Sequence, residues 1–235
     1  MGLQNLDFEQ LYQGRSSIGA GMPWDIQAPQ PALVELEGSG GFRGEVLDVG
    51  SGLGENAAFL ASRGHRVTGV DGSETAVRRA RERVAVKGLD VTFQVADATR
   101  LDGLEDRFDT VLDSALYHCL DENQRRDYVA ALVRATRPGA RLHLFCFSDV
   151  LPDGFPAPFR ISERNLRETV GAGGWRITGL EPALYTTAVT RARMKETVEA
   201  FDPDAAFDPA TLDALEVDED GRVRAPVWYL AAERA

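Results

Sequence analysis

The chain is short of cysteine, of basic charge and of long apolar runs, and each shortage excludes something. Cys119 and Cys146 are its only two cysteines. They are too few for a disulfide framework and lack zinc spacing, so a cytoplasmic protein is expected. Lys and Arg number 26 against 37 Asp and Glu, a net charge of -11. That balance repels phosphate backbones and anionic lipid, so neither nucleic acid nor membrane is an expected partner. No run of ~18 apolar residues exists to span a bilayer. The start, MGLQNLDFEQ, has neither a basic n-region nor an apolar h-region. Position 6 after Gly2 is Leu6 rather than Ser or Thr, so the myristoylation pattern fails. No internal repeat or low-complexity tract appears. What remains is ordinary for a globular protein: 235 residues, 43% hydrophobic and 27% charged, enough for one α/β domain with additions.

The organising stretch is Glu45–Asp71, EVLDVGSGLGENAAFLASRGHRVTGVD. Glu45–Val49 reads as a strand buried on both faces. Gly50, Gly52 and Gly54 follow in alternation, so backbone can turn with φ > 0 and a ligand can lie against it. A helix from about Glu55 turns its amides and positive dipole end toward that ligand. Gly64 ends the helix and His65–Val70 forms a second strand. Asp71, with Gly72 after it, closes the unit at a spacing that suits hydrogen bonds to the two hydroxyls of a ribose. A dinucleotide site wants a third small residue where Glu55 stands, and here the glycine comes one residue early, at Gly54.

Around this unit the chain orders itself simply. Residues 1–40 are an N-terminal attachment with Leu6, Phe8, Leu11 and Tyr12, a Gly/Ser-rich break over Gly14–Gly21, then Trp24 and a helix through Leu36. Ser73 caps a helix to about Lys87. Val91–Val95 is a third strand, ending at Asp97 and Ala98. Phe108–Asp113 is a fourth, followed by Ser114, Tyr117 and His118. A helix starts near Asp121 and stops at Arg137-Pro138-Gly139, and Arg141–Phe147 is a fifth strand. Five strands alternating with helices imply right-handed crossovers and a parallel, doubly wound sheet. Ser148–Arg160 is a loop carrying Phe155 and Phe159. Ser162 caps a further helix, with Ile161 and Leu166 spaced as a hydrophobic staple. Trp175–Leu180 is a sixth strand. Residues 182–223 read as an insertion with a basic half and an acidic half (Asp202, Asp204, Asp208, Asp213 among others), holding a helix or two and a mobile turn. Val223–Ala232 is the last strand, antiparallel at the sheet edge.

DVGSGLG, with Asp48 ahead of the early Gly54, resembles motif I of the class I S-adenosylmethionine-dependent methyltransferases. PWDIQAPQPALVEL before the first strand, DSALYHCL after the fourth and RPGARLHLFCF in the fifth resemble the thiopurine and actinobacterial heterocyclic toxin methyltransferases. The resemblance covers residues 20–181 and the final strand. It implies a seven-stranded Rossmann-like sheet, α/β in class, mostly parallel with the last strand antiparallel, under an N-terminal helical cap. The whole would be a single domain: cap 1–40, cofactor core 41–181, insertion 182–223, last strand 224–235. It also implies S-adenosyl-L-methionine as cofactor, held by Asp48, Gly50, Ser51, Gly52, Gly54, Asp71, Gly72, Asp97, Ala98 and Asp113. Asp97 would meet the adenine amino group, unless it only caps the next turn. Tyr12, Trp24, Ser114, Phe155 and Phe159 would wall the substrate, although Trp24 could equally only pin the arm.

Methyl transfer is an in-line displacement, so the nucleophile must be held about 3 Å from the methyl carbon in a site shielded from water. His118 is the histidine at the catalytic edge and stands as base or substrate orienter, or as a ring bonded to backbone. Tyr117 could stack on a planar acceptor. A metal mechanism needs oxygen ligands beyond Asp113 and Asp149, so no metal is expected. The expected substrate is a small aromatic or heterocyclic metabolite taking methyl on oxygen or nitrogen. A non-catalytic sensor or partner subunit and a nicotinamide oxidoreductase are the alternatives. Monomer and homodimer both fit.

Overall fold

In the computed structural model, residues 6–15, 22–201 and 209–235 are described. Gly2, the Gly/Ser-rich positions 16–21 and the acidic Asp202, Asp204 and Asp208 lie outside the described residues. β1 (Glu45–Val49) is the middle of the molecule, with Val46, Leu47 and Val49 fully buried. It pairs in parallel with β2 (Arg66–Asp71) on one side and β4 (Phe108–Ser114) on the other. β3 (Val91–Val95) lies outside β2, and β5 (Thr136–Phe147), β7 (Arg222–Arg234) and β6 (Trp175–Thr190) follow β4, giving the order β3-β2-β1-β4-β5-β7-β6. β7 runs antiparallel to both its neighbours. The strand order reverses between β1 and β4, so a crevice opens there beyond the carboxyl ends of the strands.

Alternation within the strands supplies both faces with apolar side chains. Val46 and Leu112 face a core built with α2 (Pro31–Gly38), α3 (Glu55–Ser62) and α4 (Glu74–Val86) through Leu33, Leu60 and Val77. Leu47, Val49 and Val111 face a second core with α5 (Glu122–Ala135) and α6 (Glu163–Ala172) through Leu132 and Leu166. Ser73, Asp121 and Ser162 each cap their helix by accepting a backbone N–H. A short α1 (Phe8–Tyr12) packs on α4.

Three sequence expectations change. β3 and β4 are joined by residues 96–107 without a helix, so strand and helix do not alternate throughout. β5 begins at Thr136 rather than Arg141, because Thr136 pairs with Phe108 and residues 137–140 bulge, with Gly139 at φ +77°, before Arg141 pairs with Thr110. β6 does not stop at Leu180. It pairs with β7 as far as Thr190, and Pro182 sits opposite Trp228. Proline is tolerated because β6 is an edge strand, whose outward positions need no N–H donor. The segment outside the sheet therefore begins at Arg191, with α7 (Arg191–Phe201) and α8 (Pro209–Ala214) over a small core of Leu151, Phe155, Met194, Val198 and Leu215.

Candidate active site

The loop after β1 folds tightly on β2, where the Gly50 and Ser51 amides both donate to the Val70 carbonyl at 2.8 and 2.9 Å. Gly52 and Gly54 hold φ of +52° and +81°. A Cβ on Gly54 would lie 2.7 Å from Phe93 Cζ and 3.0 Å from Ala80 Cβ. The close helix–sheet packing that a third small residue gives a dinucleotide site is thus supplied one residue early. Glu55, freed from that task, binds Arg83 at 2.9 Å and Lys87 at 2.8 Å. A Cβ on Gly52 would lie 2.8 Å from the Tyr12 hydroxyl, so bare backbone is needed at this wall.

Asp71 ends β2 beside this loop. Its Oδ2 accepts the Gly52 N–H at 2.9 Å and its Oδ1 the Ser73 N–H at 2.8 Å. Burial pushes its carboxyl upward while the two amides pull it down. Each oxygen keeps a lone pair for a hydroxyl.

The N-terminal arm closes over this end. Glu9 accepts from the Ser73 and Thr75 hydroxyls, each at 2.5 Å, and from the Thr75 N–H at 3.1 Å. The Ser73 hydroxyl bond, with those from Thr75, lowers its carboxyl to about 2. The Trp24 indole donates to the Tyr12 hydroxyl at 3.1 Å, and Asp25 binds Arg83 at 2.9 Å. Glu9→Gln is expected to weaken cofactor binding by about fivefold, the ceiling for one exposed charged contact, as read from tryptophan fluorescence. An unchanged affinity would mean that the Tyr12 and Asp25 contacts suffice.

A cavity of about 810 Å³ extends from this end past β1 and β4 to α7, a volume within the range of small-molecule sites. Gly50, Ser51, Gly52, Gly54, Asp71, Gly72, Asp97, Ala98, Ser114, Tyr12, Trp24, His118 and Phe155 line it. Asp97 lines the cavity, and its Oδ1 accepts from the Thr99 N–H and hydroxyl at 2.9 and 2.7 Å, the capping role. Two small apolar cores bound the cavity. Tyr12, Leu53 and Ala76 with Trp24 stand at the glycine-loop end, and Phe155 and Met194 with Phe147 and Val189 at the other.

Four expected site residues lie outside the lining. Asp48 is 1% exposed beneath the loop, its Oδ2 has no hydrogen-bond partner among the described residues, and burial with Asp113 and Asp71 nearby pushes it up to about 7. Asp113 is fully buried. It accepts from the Leu116 N–H at 2.8 Å, the Tyr117 N–H at 3.3 Å and the Tyr128 hydroxyl at 2.9 Å. It therefore shapes the turn after β4, in which Ala115 takes a strained φ of +80°. Tyr117 is fully buried and bonds Asn165 at 3.1 Å, so it stacks on no ligand. Phe159 packs under the Arg125 guanidinium at 5.0 Å.

His118 does reach the cavity, stacked on Phe147 at 4.2 Å between centroids. Its Nδ1 accepts the Phe147 N–H at 3.1 Å, which leaves the proton of the neutral ring on Nε2. Burial, with the charge of Arg125, lowers it to about 3. Among the lining residues that the sequence reading missed, Tyr185, Thr187, Val189, Met194 and Thr197 come from β6 and α7. The signal was there in LYTTAVT, a β-branched and aromatic run typical of a strand. Tyr185 meets the Ser114 hydroxyl at 3.1 Å. Gln30, also missed, clamps the Thr186 backbone at 2.9 and 3.1 Å and so holds β6 against the arm.

The comparisons with known proteins agree with this geometry. Residues 46–139 match the methyltransferase domain family. The 2-heptyl-1-hydroxyquinolin-4(1H)-one methyltransferase of Mycobacteroides abscessus is 37% identical over 180 residues, 75% of this chain and 79% of the relative. A protein solved in a study of the conversion of a disulfide bond into a thioacetal group during echinomycin biosynthesis is 34% identical, with a TM-score of 0.78 over 97% of this chain and 91% of that one. The magnesium protoporphyrin IX methyltransferase of Synechocystis, solved with its cofactor bound, shares the fold at a TM-score of 0.57 and 21% identity, over 87% of this chain and 76% of that one. The glycine cradle and the spare lone pairs of Asp71 suit a nucleoside, and the methyl donor is S-adenosylmethionine. With its sheet, its cradle and these relatives, the chain belongs to the S-adenosylmethionine-dependent methyltransferases, those that act on small molecules.

Proposed function

We propose that the protein methylates a hydroxyl oxygen, or a ring nitrogen, of a small planar heterocycle or phenol. The observation that carries this reading is the acceptor end of the cavity: the stacked His118–Phe147 pair beside Phe155 and Tyr185, flat surfaces with few charges. The Mycobacteroides abscessus relative is named for an N-hydroxy heterocycle, which supports the same reading. Cofactor binding is assigned to Gly50, Ser51, Gly52, Gly54, Asp71, Gly72, Asp97 and Ala98, and the acceptor's wall to Tyr12, Trp24, Ser114 and Phe155. We place the reaction in secondary metabolism, in the cytoplasm.

The cofactor brings its own leaving group and positive charge, so the protein's task is to hold the acceptor in line and dry. The arm and the β6–α7 wall exclude water. His118 presents Nε2–H and donates to the oxygen of a hydroxyl acceptor, orienting it while another lone pair attacks. It is not a base: its Nδ1 is engaged, and burial beside Arg125 lowers it to about 3. Burial likewise pushes Tyr185 and Cys119 up to about 12, so neither takes a proton near neutral pH. A hydroxyl acceptor therefore ionises to water and attacks as the oxyanion.

The test is methyl transfer from labelled cofactor to phenols, N-hydroxy heterocycles, ring-nitrogen heterocycles and thiols, with products identified by mass. Transfer confined to thiols would overturn the proposal. His118→Ala is expected to lower the transfer rate about tenfold, the worth of one hydrogen bond to a charged atom, with cofactor affinity kept. In the wild type, any acid limb in the rate should follow the acidity of the acceptor when acceptors are exchanged. A limb fixed near pH ~6.5 for every acceptor would restore His118 as the base.

A further inference from the structure

Arg125 is a buried cation without a buried anion to match it. It is 7% exposed, and among the described residues no carboxylate comes within 4.0 Å of it. Its Nε donates to the Leu120 carbonyl at 2.9 Å, and its guanidinium lies over the rings of Phe159 at 5.0 Å and Tyr117 at 5.6 Å. Burying a charge without an anion beside it is costly, and two aromatic faces and one carbonyl repay only part of that cost. The Phe159 N–H also donates to the His118 carbonyl at 3.1 Å, so guanidinium, aromatic ring and histidine form one contiguous wall behind the acceptor end.

We propose that Arg125 is a positioning residue that acts through His118 to favour the anionic form of a hydroxyl acceptor, so that the enzyme ionises its substrate by field rather than by a base. The inference rests on the reading of the site as one for an ionisable hydroxyl. The acceptor's proton leaves to water. The oxygen lone pair then forms the bond to the methyl carbon as the carbon–sulfur bond breaks, and its electron pair stays on sulfur. A positive charge packed beside the histidine through Phe159 deepens the Nε2–H donor's pull on the oxyanion and keeps the ring from taking the proton itself.

The other titratable groups facing this pair do not supply the charge. Burial holds Tyr117 and Cys119 in the turn up at about 12. It raises Tyr128 on α5 and Cys146 on β5 well above their ordinary values. Asp113 on β4 is tied by Tyr128 and two amides. Asp149 beyond β5 acts on Cys146.

The test is the pH dependence of single-turnover transfer at saturating cofactor and acceptor, using the fastest hydroxyl acceptor of the panel. The acid limb then reports the ionisation of the bound acceptor. In Arg125→Met the limb should move up by about one pH unit, the size expected of one charge several ångströms away at an effective dielectric near ~20. At pH values where the acceptor is already ionised, the rate should approach that of the wild type. Arg125→Lys, which keeps the charge, should restore the wild-type limb. The cofactor's own charge is common to all three proteins, so the difference isolates Arg125. A fall in rate by the same factor at every pH, with the limb unmoved, would make Arg125 a structural residue and overturn the proposal. If Arg125→Met does not fold, Arg125→Lys beside Arg125→Gln gives the same comparison. No transfer to any hydroxyl acceptor at any pH would instead defeat the reading of the site.

Discussion

Asp71→Ala should lower the affinity for S-adenosylmethionine by about a hundredfold, because a carboxylate that accepts two amide hydrogen bonds and can still accept from hydroxyls is removed at once. The lost bonds are those to Gly52 and Ser73, one from the glycine loop and one from the entry of α4. Without them the loop keeps only its Gly50 and Ser51 bonds to the Val70 carbonyl, and the Gly52 and Ser73 amides face water or the cavity unpaired. Asp71→Asn should fare little better. Its amide nitrogen would meet one of those N–H donors, and only one acceptor oxygen would remain. Isothermal titration calorimetry of wild type and both variants checks this. An affinity within a few-fold of wild type in Asp71→Ala would mean that the cofactor is held elsewhere along the cavity.

The second large effect is on stability. Burial, with Asp113 and Asp71 adding to it, raises the Asp48 carboxyl from 3.8 to about 7. Between those values the folded protein holds a proton that the unfolded chain has released. The contribution of Asp48 to stability is therefore fully present at low pH, is lost as the pH rises toward 7, and stays lost above it. Asn does not titrate. Asp48→Asn should thus gain on wild type by about 2 to 4 kcal/mol in unfolding free energy between about pH 4 and about pH 8. Asp113 titrates in both proteins, and its coupling to Asp48 is part of the difference measured. Urea unfolding of the cofactor-free protein at the two pH values measures the gap. If the gap is the same at both, the Asp48 carboxyl is ionised in the fold and the orphaned Oδ2 finds water. Cofactor affinity should hardly change, since Asp48 lies beneath the loop rather than in the cavity.

These two aspartates show how far a sequence can be read. Asp48, Asp71 and Asp113 all stand at or near the carboxyl ends of β1, β2 and β4, and from spacing alone each serves equally well as a ligand. Only Asp71 reaches the cavity. Asp113 is turned into the core by the Tyr128 hydroxyl of α5, and Asp48 is covered by the loop that follows it. A strand's period fixes which residues share a face. Which face is covered, and by what, depends on packing from elements far along the chain. Tyr117 and His118 divide the same way. They are neighbours in one turn, yet Tyr117 bonds Asn165 in the core and His118 borders the cavity.

The resemblance of DVGSGLG to a known motif carried the methyl-transfer chemistry, and by itself the sequence determined the βαβ unit with its glycines and acid, and the helix caps. Those features rest on interactions within about twenty residues or less, and propensity, turn chemistry and periodicity encode such interactions directly. Only the tertiary structure decided that Tyr185, Thr187 and Met194 close the acceptor end, that Glu9 reaches Ser73 and that Arg125 packs on Phe159 beside His118. Gln30 and Thr186 bond across 156 residues, and Glu9 and Ser73 across 64. Such contacts exist only once the sheet has set the distances between its edges, and no local pattern in the chain carries them.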